Sequence, residues 1–368
     1  MQEMDDIAQQ VLRNCAVSDS RHAGYYSVCG LALRLRDLYK WEKGLEPWVE
    51  EDAPVMLDWI GAKEEAWERL AEDEFEEILI DGTRYDPFDV EGLNAVLGPR
   101  GLCYGSGYVH GLKPTFFLAR IEEKKERLGH AVYLLGKELA RDLITAPALT
   151  QGDSIFVRKE SARLFLWNQM FFIKKSGQGA LRFALEHCGL DEKDAESIRR
   201  NLARISDDEV ETYVYHELGE VLDPVFDRDL WRRMLAAFPQ TPVELLARTV
   251  KDILADTTEH GKLRFIIRHR RSSSLGFYVA FLDGLRKELF PEIVEAFDHF
   301  RASQRWATVE EAVEAGYERA RAHGEAITAI FLAGQERNDM EWARQEMERQ
   351  VLAPLGLGRG HHPKAQEE

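Results

Sequence analysis

The sequence predicts an α+β domain with a small antiparallel sheet, followed by an all-α domain, in a chain that is mainly helical. Three observations lead there. Short apolar runs broken by turn residues are confined to a middle stretch, about 79–158. On either side of it, apolar residues recur at three- and four-residue spacing, the period of an amphipathic helix. The segment KKSGQGA, 174–180, lies between the two patterns and reads as a linker. The expected domains are therefore 1–176 and 180–355. The first holds helices over 1–78, the sheet over about 79–158 and a helix over 160–173. The end of the chain, GLGRGHHPKAQEE (356–368), has no periodicity and is expected to be disordered, with His361 and His362 in it.

In the first domain, SVCGLALRLRDLYKWEKG (27–44) places Leu31, Leu35 and Leu38 on one side of a helix that Gly44 can stop. A second helix starts near Asp52 and Pro54 and carries Val55, Trp59, Ala62, Ala66 and Leu70 at helical spacing. Trp41, Trp48, Trp59 and Trp67 crowd this region, and packing accounts for them more simply than a ligand wall. EILIDGTRYDPF contains the Asp-Gly signal of a tight turn. Strands are expected near 102–109, 115–122 and 130–135, with KKERLG joining two of them, then a helical KELARDL and a last strand in DSIFVRKES. The glycines of YGSGYVHGLK (104–113) match no phosphate-loop spacing and read as turn or bulge positions. His110 and His130 are the two histidines the sheet could bring together. In the second domain, helix starts are expected where a capping box occurs: Ser206 with Glu209, Thr241 with Glu244, Thr308 with Glu311, and more loosely Asn338 with Glu341.

The chain has 368 residues and a net charge of −17, unevenly placed: residues 42–91 hold 18 acids against four bases. Such a block repels a phosphate backbone, so general nucleic-acid binding is not expected. No apolar run approaches the ~20 residues of a membrane span, and the N-terminal MQEMDD has no signal-peptide character. With four scattered cysteines and no C-x-x-C, a soluble cytoplasmic protein with reduced thiols is expected. The dense basic stretch KLRFIIRHRRSSS (262–274) is the counterpart of the acidic block, and together they suggest contact with a protein partner or a homo-oligomer.

One motif carries chemistry. In YVYHELGEVLDPVF (213–226), His216, Glu217 and Glu220 are spaced H-E-x-x-E. On a helix, Val210, Val214, Leu218 and Val221 form the buried face. His216 and Glu220 fall one turn apart on its flank, and Glu217 lies against the apolar arc. A carboxylate turned inward there needs a cation or a metal, and Arg232, Arg233 and Arg248 are the cations at hand. The stretch resembles the zincin helix H-E-x-x-H. The resemblance implies His216 and Glu220 as ligands and Glu217 as base; it covers five residues, lacks the second histidine, has Gly219 to loosen the helix and ends at Asp223-Pro224. A second helix, TPVELLARTVKDILADTTEH (241–260), buries Val243, Leu246, Val250, Ile253, Leu254 and Thr257 and carries Asp252, Asp256 and His260 as a stripe beside them. Two such stripes facing each other offer ligands for iron, manganese or zinc and are similar in residue type to the helical di-iron oxidases.

Two functional classes follow. In one, a divalent metal sits between these helices and serves an oxidase- or hydrolase-like reaction. In the other, the protein is a non-catalytic scaffold that binds a partner or a small molecule through its charged patches. At the level of the whole chain, LRLRDLYKWEKGLEPW, HELGEV and SLGFYVAFLDGLRKELFPEI resemble a bacterial family known only as domains of unknown function. That resemblance implies a two-part cytoplasmic protein and no activity.

Overall fold

A computed structural model describes residues 2–282 and 284–355, so the tail from 356 lies outside the described residues. The chain divides into two compact units. One comprises the residues up to Phe171 together with Leu202–Val210; the other comprises Phe172–Asn201 and the residues from Glu211 on. Each is described separately.

The first unit opens with helices α1 (Gln2–His22), α2 (Val28–Lys43) and α3 (Ala53–Leu70). Ser27 caps α2 by accepting from the Gly30 N–H, and Gly44 ends it in the left-handed conformation (φ 62°) that glycine adopts without strain. Strands β1 (Ile78–Ile80) and β2 (Thr83–Tyr85) form the hairpin expected at Asp81-Gly82, whose φ values, 51° and 79°, are those of a two-residue turn. After α4 (Val90–Leu97) comes the main sheet: β3 (Leu102–Tyr108), β4 (Pro114–Arg127), β5 (His130–Arg141), β6 (Ala148–Gln151) and β7 (Ser154–Arg158), in the order β3-β4-β5-β7-β6. Helix α5 (Lys159–Phe171) follows.

This sheet corrects the sequence reading twice. It is larger than expected, and it is mixed, because β7 enters between β5 and β6 and runs parallel to β5. The six residues 142–147 carry the chain past the place of β7, so β6 descends at the edge and β7 returns beside β5. KELARDL is strand, not helix, through Arg141. Its charges look like a solvated helix face, but Glu138 and Arg141 are buried. His110 and His130 do not meet: one precedes β4 and the other follows it, pairing with Arg127.

One face of the sheet buries Tyr104, Phe116 and Leu118 against Ile7, Val11 and Cys15 of α1 and Leu93 and Leu97 of α4. On the opposite face, where Phe117 packs with Cys103 and Phe156, Gly105 is needed because a Cβ would strike the Phe117 ring. The tryptophans pack: Trp67 is buried with Leu35 and Leu38, Trp48 meets Trp167 edge-on at 5.9 Å, and Trp41 donates to the Glu138 carbonyl. Where α1, β5 and α5 converge, charged groups are buried together. Lys113 donates to Asp19 (3.0 Å) and Asp142 (3.1 Å), and Arg158 grips Glu138 in two bonds of 3.0 and 2.8 Å. No pattern in the sequence marks this network, since its members look like ordinary surface charges.

The second unit is helical throughout: α6 (Gln178–His187), α7 (Ala195–Leu222, except its stretch Leu202–Val210, which belongs to the first unit), α8 (Arg228–Ala237), α9 (Pro242–Thr257), α10 (Lys262–Arg268), α11 (Ser272–Ala280), α12 (Gly284–Leu289), α13 (Pro291–Ser303), α14 (Trp306–Glu336) and α15 (Met340–Met347). Of the expected starts, Thr241 caps α9 as read, accepting from the Glu244 N–H at 3.2 Å. Ser206 instead lies inside α7, which begins at Asp194, and Thr308 lies inside α14. Asp339 rather than Asn338 caps α15. A Ser/Thr-x-x-Glu pattern inside a long helix costs little, so the motif alone does not fix a start. No helix among the described residues is long and apolar enough to cross a membrane.

Candidate metal centre

Two helices of the second unit build the site. On α7, Val214 and Leu218 are fully buried; on α9, Val243, Leu246, Val250, Ile253, Leu254 and Thr257 are buried as the periodicity requires. At Gly219 the two backbones come so close that a Cβ would land on the Ala255 carbonyl. This glycine is therefore no loosening of the helix. It permits the approach that brings the flank of α7, with His216 and Glu220, against Asp252 and Asp256 of α9.

The contact is specific. His216 Nδ1 lies 2.7 Å from Asp256 Oδ1, and Asp256 is 1% exposed. An ionised carboxylate only accepts, so Nδ1 carries the proton, and the other nitrogen, Nε2, is on the Glu220 side. Nε2 lies 3.6 Å from Glu220 Oε1. His216, Glu220 and Asp252 each offer one ligand atom, all within 4.8 Å of one another, and all three residues are half-buried. Two cations brace the group: Lys251 binds Glu220, and Arg286 of α12 binds Asp252. Trp231 lies beneath Lys251, 5.3 Å from its ammonium, and Arg248 is 5.9 Å from the same ring.

The electrostatics follow from this packing. Burial alone would lower the His216 pKa. The charge and hydrogen bond of Asp256, then Glu220 and Asp252, overcome that and raise it to about 9. Burial would likewise raise Asp256, but His216, Lys262 and Arg286 hold it at about 2. Glu220 is held below its ordinary value, against burial, chiefly by Lys251. The Tyr278 hydroxyl of α11 is pushed up by burial and by Asp256. That hydroxyl, buried, has the Asp256 carboxylate as its neighbouring acceptor.

A histidine whose pKa rises from 6.5 to about 9 on folding stabilises the fold fully below pH 6.5 and loses that contribution as pH rises through 9. In metal-free protein, stability should therefore fall between these values, and His216→Gln should flatten that slope; thermal melts across the range measure it. Asp256 acts at the other end, its contribution fading as pH falls from 3.8 through about 2.

The structure thus gathers His216, Glu220 and Asp252, with Asp256 behind His216. It does not gather the rest. Glu217 is buried, 7% exposed, as its place on the helix demands, but it is not among the three grouped residues. Arg233 and Arg248, offered as its partners, are held by Asp229 and Glu244. His260 falls in the turn after α9, which stops at Thr257, so the helical stripe does not reach it. The basic stretch 262–274 is partly used inside the unit: Arg264 pairs with Glu314, and Lys262 lies over Tyr213 and Tyr278. Lys251, Arg286 and Tyr278 were not singled out from the sequence. The i+4 step from Asp252 to Asp256 could have drawn attention to Lys251 beside it, but nothing local signals Arg286 or Tyr278.

These features define a two-unit protein with a histidine–carboxylate cluster between two helices of its second unit. The chain belongs to a family of unknown function, DUF6866: its N-terminal domain matches residues 6–158 and its C-terminal domain residues 163–350. No curated protein and no solved structure matches the chain.

Proposed function

We propose that the protein binds one divalent metal ion through His216 Nε2, Glu220 and Asp252 and uses it for a hydrolase-like reaction. One observation carries the reading: Asp256, fully buried, holds His216 by Nδ1 and leaves Nε2 beside Glu220, in the group that Asp252 completes. Histidines that ligate metals are oriented in this way by a second carboxylate. One nitrogen and two oxygens suit manganese, iron or zinc. Three protein ligands leave a position for water, whose pKa the ion lowers. Asp256 is engaged by His216, which favours one ion over the pair that a di-iron oxidase holds.

A second reading has its own support. Each of the three carboxylates already meets a cation, as a purely structural ion network would require. In that case the protein is a scaffold, and the network serves only to join the helices. Mn²⁺ titration followed by electron paramagnetic resonance, which counts free ions, separates the two. The metal reading expects one site per chain, abolished in Glu220→Ala and weakened about 10- to 100-fold in Asp256→Asn. Absence of any Mn²⁺, Fe²⁺ or Zn²⁺ binding by folded protein would leave the scaffold reading.

A further inference from the structure

Lys251 and Arg286 approach the centre from two helices, each closing on one of its carboxylates. With His216 neutral, the three acids Glu220, Asp252 and Asp256 are balanced by three cations: Lys251, Arg286 and Lys262, the last of which acts on Asp256. A divalent ion placed among Glu220, Asp252 and His216 leaves two positive charges without a counterpart. It also draws the two carboxylates toward itself, so the ammonium and the guanidinium on their far sides gain free donors. The buried Tyr278 hydroxyl interacts with both Asp256 and Arg286 beside the centre. A doubly charged group with three oxygens answers both the charge and the donors, and Arg and Lys are the side chains that recognise it.

We infer that, with the ion in place, Lys251 and Arg286 hold the phosphoryl group of a phosphate monoester against the metal. The inference rests on the metal reading and names its substrate class. Trp231, lying against Lys251, supplies an apolar wall beside that group.

Methyl phosphate and Mn²⁺ are the probes, used on the full chain. Methyl phosphate should tighten Mn²⁺ binding about tenfold, and Mn²⁺ should tighten methyl phosphate binding by the same factor, because coupling is reciprocal. Arg286→Gln and Lys251→Met should still bind Mn²⁺ but lose most of the coupling. Mn²⁺ binding that methyl phosphate leaves unchanged would overturn this inference while the metal reading stands. No Mn²⁺ binding at all would overturn both. An equal effect from acetate would show attraction of any anion and contradict the phosphoryl assignment. Should both variants fail to fold, the wild-type coupling alone decides.

Discussion

Lys113→Met will destabilise the first unit by about 3–5 kcal/mol, the cost of stripping a buried ion pair of one partner. Lys113 is 1% exposed and is shared by Asp19 and Asp142, which are themselves buried. Burial and the neighbouring Asp142 already push Asp19 up to about 7, against the pull of Lys113. Without the ammonium, two buried carboxylates would face each other with few donors left: Leu143 N–H for Asp19, and Ile144 N–H and the Thr115 hydroxyl for Asp142. In a unit of this size the expected loss is roughly 10 °C in melting temperature. Calorimetry of the whole chain would show it. A variant melting within a degree or two of wild type would mean that the network contributes nothing to the fold.

Gly219→Val is the second large effect, and it falls on the site. A Cβ there meets the Ala255 carbonyl, which is backbone and has no flexible end to give way. Overpacking of this kind costs about 3 kcal/mol. Because the strain is relieved only by parting α7 from α9, the His216–Asp256 bond should be lost with it, and metal affinity with the bond. Gly61, in the middle of α3 with open space where a Cβ would stand, is the control: Gly61→Ala should stabilise by about 1 kcal/mol. If Gly219→Val keeps both stability and metal affinity, the close crossing of the two helices is not what assembles the site.

The sequence revealed those parts of the structure whose cause is local. The Asp81-Gly82 turn, the Thr241 cap and the buried stripe of α9 each follow from a few adjacent residues. The flank carrying His216 and Glu220 was readable for the same reason, since one helix period sets it. What escaped depends on partners far along the chain. Glu138 and Arg141 looked like helix-surface charges until Arg158 and the sheet enclosed them. Arg286 reaches Asp252 across 34 residues, and Lys251 meets Glu220 across 31. Gly219 read as a weak point in a helix, whereas its meaning lies in Ala255 on another one. His260 failed for the opposite reason: the helical period was extended past the residue where the helix stops.

Anomalous diffraction from crystals grown with Mn²⁺ or Zn²⁺ tests the metal centre most directly. The account requires one strong peak per chain about 2.0–2.2 Å from His216 Nε2, with Glu220 and Asp252 oxygens at similar range. A peak bound elsewhere, or saturating metal with Lys251 and Arg286 still closed on an ion-free Glu220 and Asp252, would contradict it.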